Sequence, residues 1–207
     1  MTELAPRYLY LARHGEATAD ESALTANGRR QAALLGERLR DVPLAVVHHG
    51  PLARAAETAR LVGARLPGVP LRVSELAGDY VPYVPEPAEL PSDAAGRLME
   101  FLAPVTVEER RRGAELAREA LAAFTGPVPG DEPRHELVVT HAFLIGWLLR
   151  AALDAPAWRW LGVNQANAAL TVLRYAPGRS SSVLLFNDLS HLPPELRWTG
   201  FPPELRV

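Results

Sequence analysis

Arg13 and His14 end the apolar run of "YLYLARHG", and Gly15 follows at once. His141 ends a second apolar run, "HELVVTH", and Arg54 lies a few residues beyond a third, in "VVHHGPLARAAETA". Two guanidiniums and two imidazoles brought together would hold an anion, because forked guanidinium N–H groups match the tetrahedral oxygens of phosphate. Pro51 suits the first turn of a helix, so free backbone N–H groups and a positive dipole end would reinforce that site. Taken singly, each side chain has an ordinary alternative: a solvated rim charge, or a core histidine with its hydrogen bonds met. Their shared place at the ends of apolar runs favours a common site.

Six segments must position these groups, and all read as strands: "YLYLAR", "LAVVHHG", "LRVSE", "HELVVTH", "AALTVLRY" and "SSVLLFND". They are rich in Val and Leu with little alternation, as in strands covered on both faces. Helical patterns lie between them. In "LTANGRRQAALLGERLR", Thr25 can cap a helix with Ala32, Leu35 and Leu39 on one face. "PLARAAETARLVGARL", "VEERRRGAELAREALAAF" and the almost wholly apolar "AFLIGWLLRAAL" supply three more. Alternating strands and helices imply a single α/β domain over residues 1–207, a three-layer α/β/α sandwich with a mostly parallel sheet of about six strands. In such a sheet the ligand crevice lies outside the carboxyl ends of the strands, where His14, His49 and His141 fall. The proline-rich stretch 76–106 breaks the pattern and reads as a small inserted lid. The tail, with its repeated "LPPELRW" and "FPPELRV", reads as an extended segment lying on the surface.

Composition limits the chemistry. The net charge is -2 and there are no cysteines. No overall field favours nucleic acid or an anionic membrane, so any anion site is local. Thiolate catalysis, disulfides and cysteine-held zinc are excluded. No apolar run approaches the roughly 18–20 residues of a membrane span. Glu3 and Arg7 interrupt any signal-peptide pattern, so a cytoplasmic location is the expectation.

The order and spacing of "ARHGEA", "LTANGRRQAALLGERL", "GPLARAAETARLV" and "VVTHAFLIGWLL" resemble the histidine phosphatase superfamily, also called phosphoglycerate mutase-like. The likeness is dense over about the first 65 residues and resumes around His141. It implies a metal-independent phosphatase without cofactors, acting on a small phosphorylated metabolite or a phosphoprotein. His14 would be the nucleophile that forms a phosphohistidine. A neutral ring is needed for that attack, and nearby positive charge disfavours its protonation. Arg13, Arg54, His141 and Gly15 would bind the phosphoryl group, with His141 a cationic donor to the transferring oxygens. Glu75, after the third strand, would be the general acid, with Asp79 in reserve.

Several positions depart from the family's pattern. Ala17 stands where a Ser or Thr is usual, Gly50 where a Ser is usual, and Asp20 where an Asn touches phosphate. An ionised Asp20 aimed at phosphate would repel it, so it is expected to point away. Two other functions stay open: mutase-type phosphoryl transfer, and a phospho-ligand binding module without turnover. Arg97 is the only basic residue between Arg72 and Arg110, which argues against a bisphosphate substrate. Thr58, His48, His49, His135 and His191 are expected to be structural, while Tyr80 and Tyr83 could line a substrate pocket.

Overall fold

The computed structural model describes residues 3–206. Six strands form one sheet, flanked on both faces by helices. In chain order the elements are β1 (Leu4–Ala5), β2 (Arg7–Arg13), α1 (Ala26–Leu39), β3 (Leu44–His49), α2 (Ala53–Gly63), β4 (Leu71–Val73), α3 (Ala95–Leu102), α4 (Val107–Phe124), β5 (Val128–Pro129), β6 (Arg134–Thr140), α5 (Ala142–Ala152), β7 (Leu170–Tyr175) and β8 (Ser182–Asp188). The sheet order is β4-β3-β6-β2-β7-β8. The first four of these run parallel, and β7 and β8 continue it antiparallel. The expected α/β sandwich is present as a mixed sheet. The two-stranded ladder of β1 with β5 was not legible in the sequence, because two-residue strands carry no period.

The strands face a core on each side. Leu9, Leu11, Val138 and Leu173 pack beneath α4 and α5, while Ala12, Val47, Leu137 and Val139 pack beneath α1 and α2. Each fully buried leucine contributes about 1.5–3 kcal/mol of hydrophobic stabilisation. This two-sided burial is why the strands show no polar alternation.

Register fixes what happens at the sheet edge. Arg13 pairs with Thr140 and His49 with Val139. The next residues, His14, His141 and Gly50, therefore emerge side by side. His14 N–H closes the ladder onto Thr140 O at 2.9 Å, and Gly50 N–H onto Val139 O at 3.1 Å.

Helix starts follow local chemistry. Thr25 accepts from Gly28 N–H and caps α1, a bond worth about 1 kcal/mol. Thr106 and Glu109 form a reciprocal capping box on α4. Pro51 falls outside α2, before the N-cap residue Leu52, rather than in its first turn. The strand read through "LRVSE" stops at Val73, and Glu75 instead opens a single 3-10 turn.

Residues 76–106 contribute no sheet strand. They run over α4 and α5 through short turns and α3, with Trp160 Nε1–H donating to Tyr83 O and Phe101 edge-on to Phe143. The tail differs from the surface segment expected of it. Leu196 is fully buried with Ala166, Ala169, Leu189 and Leu192, and Trp198 and Phe201 pack on that cluster. The second proline motif ends on an exposed Leu205. Repetition in sequence thus gives two different environments, since one leucine meets a groove and the other meets water. Among the described residues no helix is long and apolar enough to cross a membrane.

Candidate active site

His14 follows the last residue of β2 and is buried. Its Nδ1 lies 2.8 Å from Gly15 O, which can only accept, and its Nε2 lies 3.3 Å from Arg54 Nε, which can only donate. These two partners leave one tautomer: the proton sits on Nδ1, and Nε2 carries the lone pair. Burial pushes the His14 pKa down to about 2, helped by His141, Arg13 and Arg54, against the opposing pull of the Gly15 bond. The ring is neutral at physiological pH and its outer nitrogen is a free base.

Gly15 holds this geometry by close approach. A Cβ there would lie 2.5 Å from Gly28 O, so the β2–α1 loop can pass over the start of α1 only with glycine. Its φ lies outside the left-handed region. Its N–H donates to Thr58 Oγ1 at 3.0 Å, and Thr58 donates on to Arg54 O at 2.7 Å. The expectation that Gly15 binds phosphate meets an N–H already engaged. Gly15 orients His14 through its carbonyl and ties the β2–α1 loop to α2. Thr58 bonds to backbone, as expected.

Arg54 lies in the first turn of α2 and is only 6% exposed. Its Nη2 donates to Asp79 Oδ2 at 2.7 Å and lies 3.3 Å from Glu21 Oε2. Asp79 Oδ2 also lies 3.4 Å from His141 Nδ1. His14 and His141 face each other with ring centroids 5.1 Å apart. Burial is the largest influence on Asp79 and raises its pKa, although Arg54 and Arg13 oppose it and 33% of the side chain reaches solvent. A carboxyl held toward its protonated form beside a buried base is suited to proton donation.

His141 caps α5 and is 2% exposed. Among the described residues neither ring nitrogen has a hydrogen-bond partner. Burial, then Arg54 and Arg13, drive its pKa down to about 3. Burial first, and then the two guanidiniums close by, hold this ring toward its neutral form in the protein's own field, where a cationic donor was expected. Gly50 makes room for it: a Cβ would lie 3.3 Å from His141 Nε2 and 2.5 Å from Ala77 O.

Arg13 completes the cluster from the end of β2. Its Nη1 donates to Gln165 O and Gly200 O, each at 2.6 Å. Glu75 does not join. It is exposed, and among the described residues its side chain makes no hydrogen bond or ion pair, while its backbone carbonyl accepts from Gly78 N–H. It stands on the wall of a cleft of about 690 Å³, with Asp79 at the same wall and Tyr80, Val81, Val105 and Phe143 as apolar lining. The 3-10 turn explains the difference: the chain reverses after Glu75, and the residue delivered to Arg54 is four positions on. Tyr83 lies elsewhere, donating to Glu89 and stacked on Trp147.

Asp20 points away from the cluster, as expected. Its carboxylate accepts from Thr18 Oγ1 at 2.5 Å and Ser22 Oγ at 2.8 Å in a local turn. The carboxylate of this loop that approaches Arg54 is that of Glu21, which sequence reasoning passed over. Gln31 and Asn167 were also missed. Gln31 accepts from Glu16 N–H and donates to Thr199 Oγ1, while Asn167 donates to His14 O. For Asn167 the amide-rich "NQAN" before β7 was the available signal, since buried amides need partners. His48 packs edge-on to Phe124, His135 stacks on Tyr8, and His191 bonds to Ala168 O.

The fold and the cluster define an α/β protein whose strand ends gather two buried imidazoles, two guanidiniums and a carboxyl group. The chain belongs to the histidine phosphatase superfamily (branch 1), whose family model matches residues 9–188. Over 195 residues it is 31% identical to the serine/threonine-protein phosphatase Pgam5, mitochondrial, of Caenorhabditis briggsae, covering 92% of this chain and 66% of that protein. It is 27% identical to the human protein of the same name over 203 residues, covering 92% of this chain and 65% of that one. The chain thus spans just under two thirds of the length of these relatives. Among solved structures, a phosphoglycerate mutase from Plasmodium falciparum superposes with a TM-score of 0.62 at 22% identity, covering 91% of this chain and 95% of that one. That likeness speaks to the fold. The cytoplasmic expectation is overturned by the curated relatives, which carry mitochondrial names.

Proposed function

We propose that this chain is a phosphatase that hydrolyses phosphomonoesters through a phosphohistidine on His14. The observation that carries this reading is the tautomer of His14. With Nδ1–H held by Gly15 O and Nε2 turned toward Arg54, a lone pair faces the two guanidiniums that would hold a phosphoryl group. In the first step Nε2 attacks phosphorus, the P–O bond to the leaving alcohol breaks, and Asp79 delivers a proton to that oxygen. In the second, water attacks the phosphohistidine, its proton returns to Asp79, and His14 leaves neutral. Arg13 and Arg54 offset the charge on the equatorial oxygens. His141 gains a proton only when the dianion beside it outweighs burial and the field of the arginines, so its donor role depends on bound phosphate.

Asp79 takes the acid role in preference to Glu75 because it alone reaches Arg54 and His141. The substrate's alcohol portion would lie in the cleft beside it. That wall carries Glu75, Glu108 and Glu109 against one arginine, Arg112, which lies 3.7 Å from Glu115. This charge pattern supports a monophosphate, and the relatives' names support phosphoserine or phosphothreonine in a protein.

The test is incubation with a labelled phosphomonoester followed by alkaline quench. Acid-labile label on His14 is the expected result, absent from His14→Ala. Label that persists in His14→Ala would sink the reading.

A further inference from the structure

The tail reaches the site at Arg13. Thr199 and Gly200 lie across Arg13, far from it in sequence. Both Nη1 hydrogens of Arg13 are taken, by Gln165 O and Gly200 O at 2.6 Å each. Among the described residues, Arg13 Nε is buried without a partner and Nη2 makes no hydrogen bond. The Nε–Nη2 edge is the side of a guanidinium that binds two oxygens in parallel. Arg13 is close enough to His14, His141 and Asp79 to influence the protonation of all three.

The strap is itself held from two sides. Thr199 O accepts from Asn167 N–H at 2.9 Å, and Thr199 Oγ1 accepts from Gln31 Nε2 at 2.8 Å. Asn167 and Gln31 also hold the nucleophile loop, through His14 O and Glu16 N–H. Gly200 has φ +64°, and a Cβ there would lie 2.3 Å from Asn167 Oδ1 and 3.0 Å from Arg13 Nη1. A left-handed backbone and a close approach coincide at this residue, and glycine alone satisfies both.

We propose that the Thr199–Gly200 strap is a positioning device for Arg13. It saturates Nη1 and so presents the Nε–Nη2 edge to the phosphoryl group. Gly200, Thr199, Gln31 and Asn167 act through Arg13 and touch no substrate. This rests on the reading of Arg13 as a phosphoryl ligand. Ordering the guanidinium in advance removes a cost otherwise met at binding.

The experiment is a double-mutant cycle with Gly200→Val, Arg13→Ala and the pair, with Glu204→Ala as a tail control. The readouts are inhibition by inorganic phosphate, kcat/KM on p-nitrophenyl phosphate, and thermal unfolding. Gly200→Val should raise the phosphate inhibition constant and lower kcat/KM, each about tenfold. In the Arg13→Ala background the same change should add less than about twofold. Glu204→Ala should match the parent. Losses that multiply in the pair, or Gly200→Val behaving like the parent, would overturn the proposal. A harmless Arg13→Ala would overturn both it and the phosphoryl-ligand reading of Arg13. Should the parent show no turnover, calorimetric titration of inorganic phosphate into the same proteins reads the strap alone. If Gly200→Val is recovered unfolded, a chain ending at Trp198 removes the strap while keeping Leu196 buried, and the same cycle applies.

Discussion

Arg54 Nε donates to His14 Nε2 across 3.3 Å while its Nη2 holds Asp79 at 2.7 Å. One guanidinium thus spans the His14 ring and the Asp79 carboxyl group, and α2 carries it to both. The arrangement needs a planar fork with separate donors. Burial is the main reason that His14 stays neutral, and the donor at Nε2 adds to it by occupying the position a second ring proton would take.

Arg54→Lys should therefore behave as a severe change. An ammonium on a flexible stem cannot hold two partners at these positions. We expect kcat/KM on p-nitrophenyl phosphate to fall about 100-fold, the scale of a lost charge-stabilising donor. Thermal unfolding should change little by comparison. A variant within a few fold of the parent would show that charge alone, without the fork, suffices.

Stability should depend on pH through the two histidines. In the unfolded chain they titrate near 6.5. In the folded chain His14 waits until about 2 and His141 until about 3. Between these limits the unfolded state binds more protons, so stability is greatest above about 6.5 and falls as pH drops toward 3. Replacing His14 with Asn should lower the proton uptake on unfolding at pH 5 by about one. Measuring unfolding free energy from pH 7 to 4 for both proteins checks this. Parallel curves would mean that His14 is not held neutral.

Asp79→Asn and Glu75→Gln separate the two candidate acids. A general acid matters most when the leaving alcohol is a poor one. Asp79→Asn should slow hydrolysis of an alkyl phosphate by about 100-fold and of p-nitrophenyl phosphate by less than about tenfold. Glu75→Gln should slow both by a similar small factor. The reverse pattern would return the acid role to Glu75.

The sheet, four of the helices and the pairing of His14 with His141 were legible because each rests on a local pattern: apolar runs, helical spacing, a motif at a strand end. What sequence could not supply was direction. A single 3-10 turn after Ser74 decides that Asp79, not Glu75, meets Arg54. A left-handed residue decides that Glu21 approaches where Asp20 does not. The tail was misread for a related reason. Its contact with Arg13 depends on Leu196 finding a groove built by residues far away in the chain, and no local period encodes that.

Glu21 supplies the last prediction. The turn closed by Thr18, Asp20 and Ser22 holds it at φ +57° and sends its carboxylate to within 3.3 Å of Arg54 Nη2. A non-glycine residue in that conformation costs about 1–2 kcal/mol, and a pair with one partner 65% exposed returns little. Its carboxylate also lies against the guanidinium that a phosphoryl oxygen would approach. Glu21→Gly should relieve the strain and remove the competitor together. Inorganic phosphate should then inhibit about two- to fivefold more tightly at low salt, and the gain should shrink at high salt, since exposed charges are screened. Thermal stability should hold or rise. Weaker phosphate inhibition in Glu21→Gly would show instead that the carboxylate helps to set Arg54 for its ligand, and the competition would have to be abandoned.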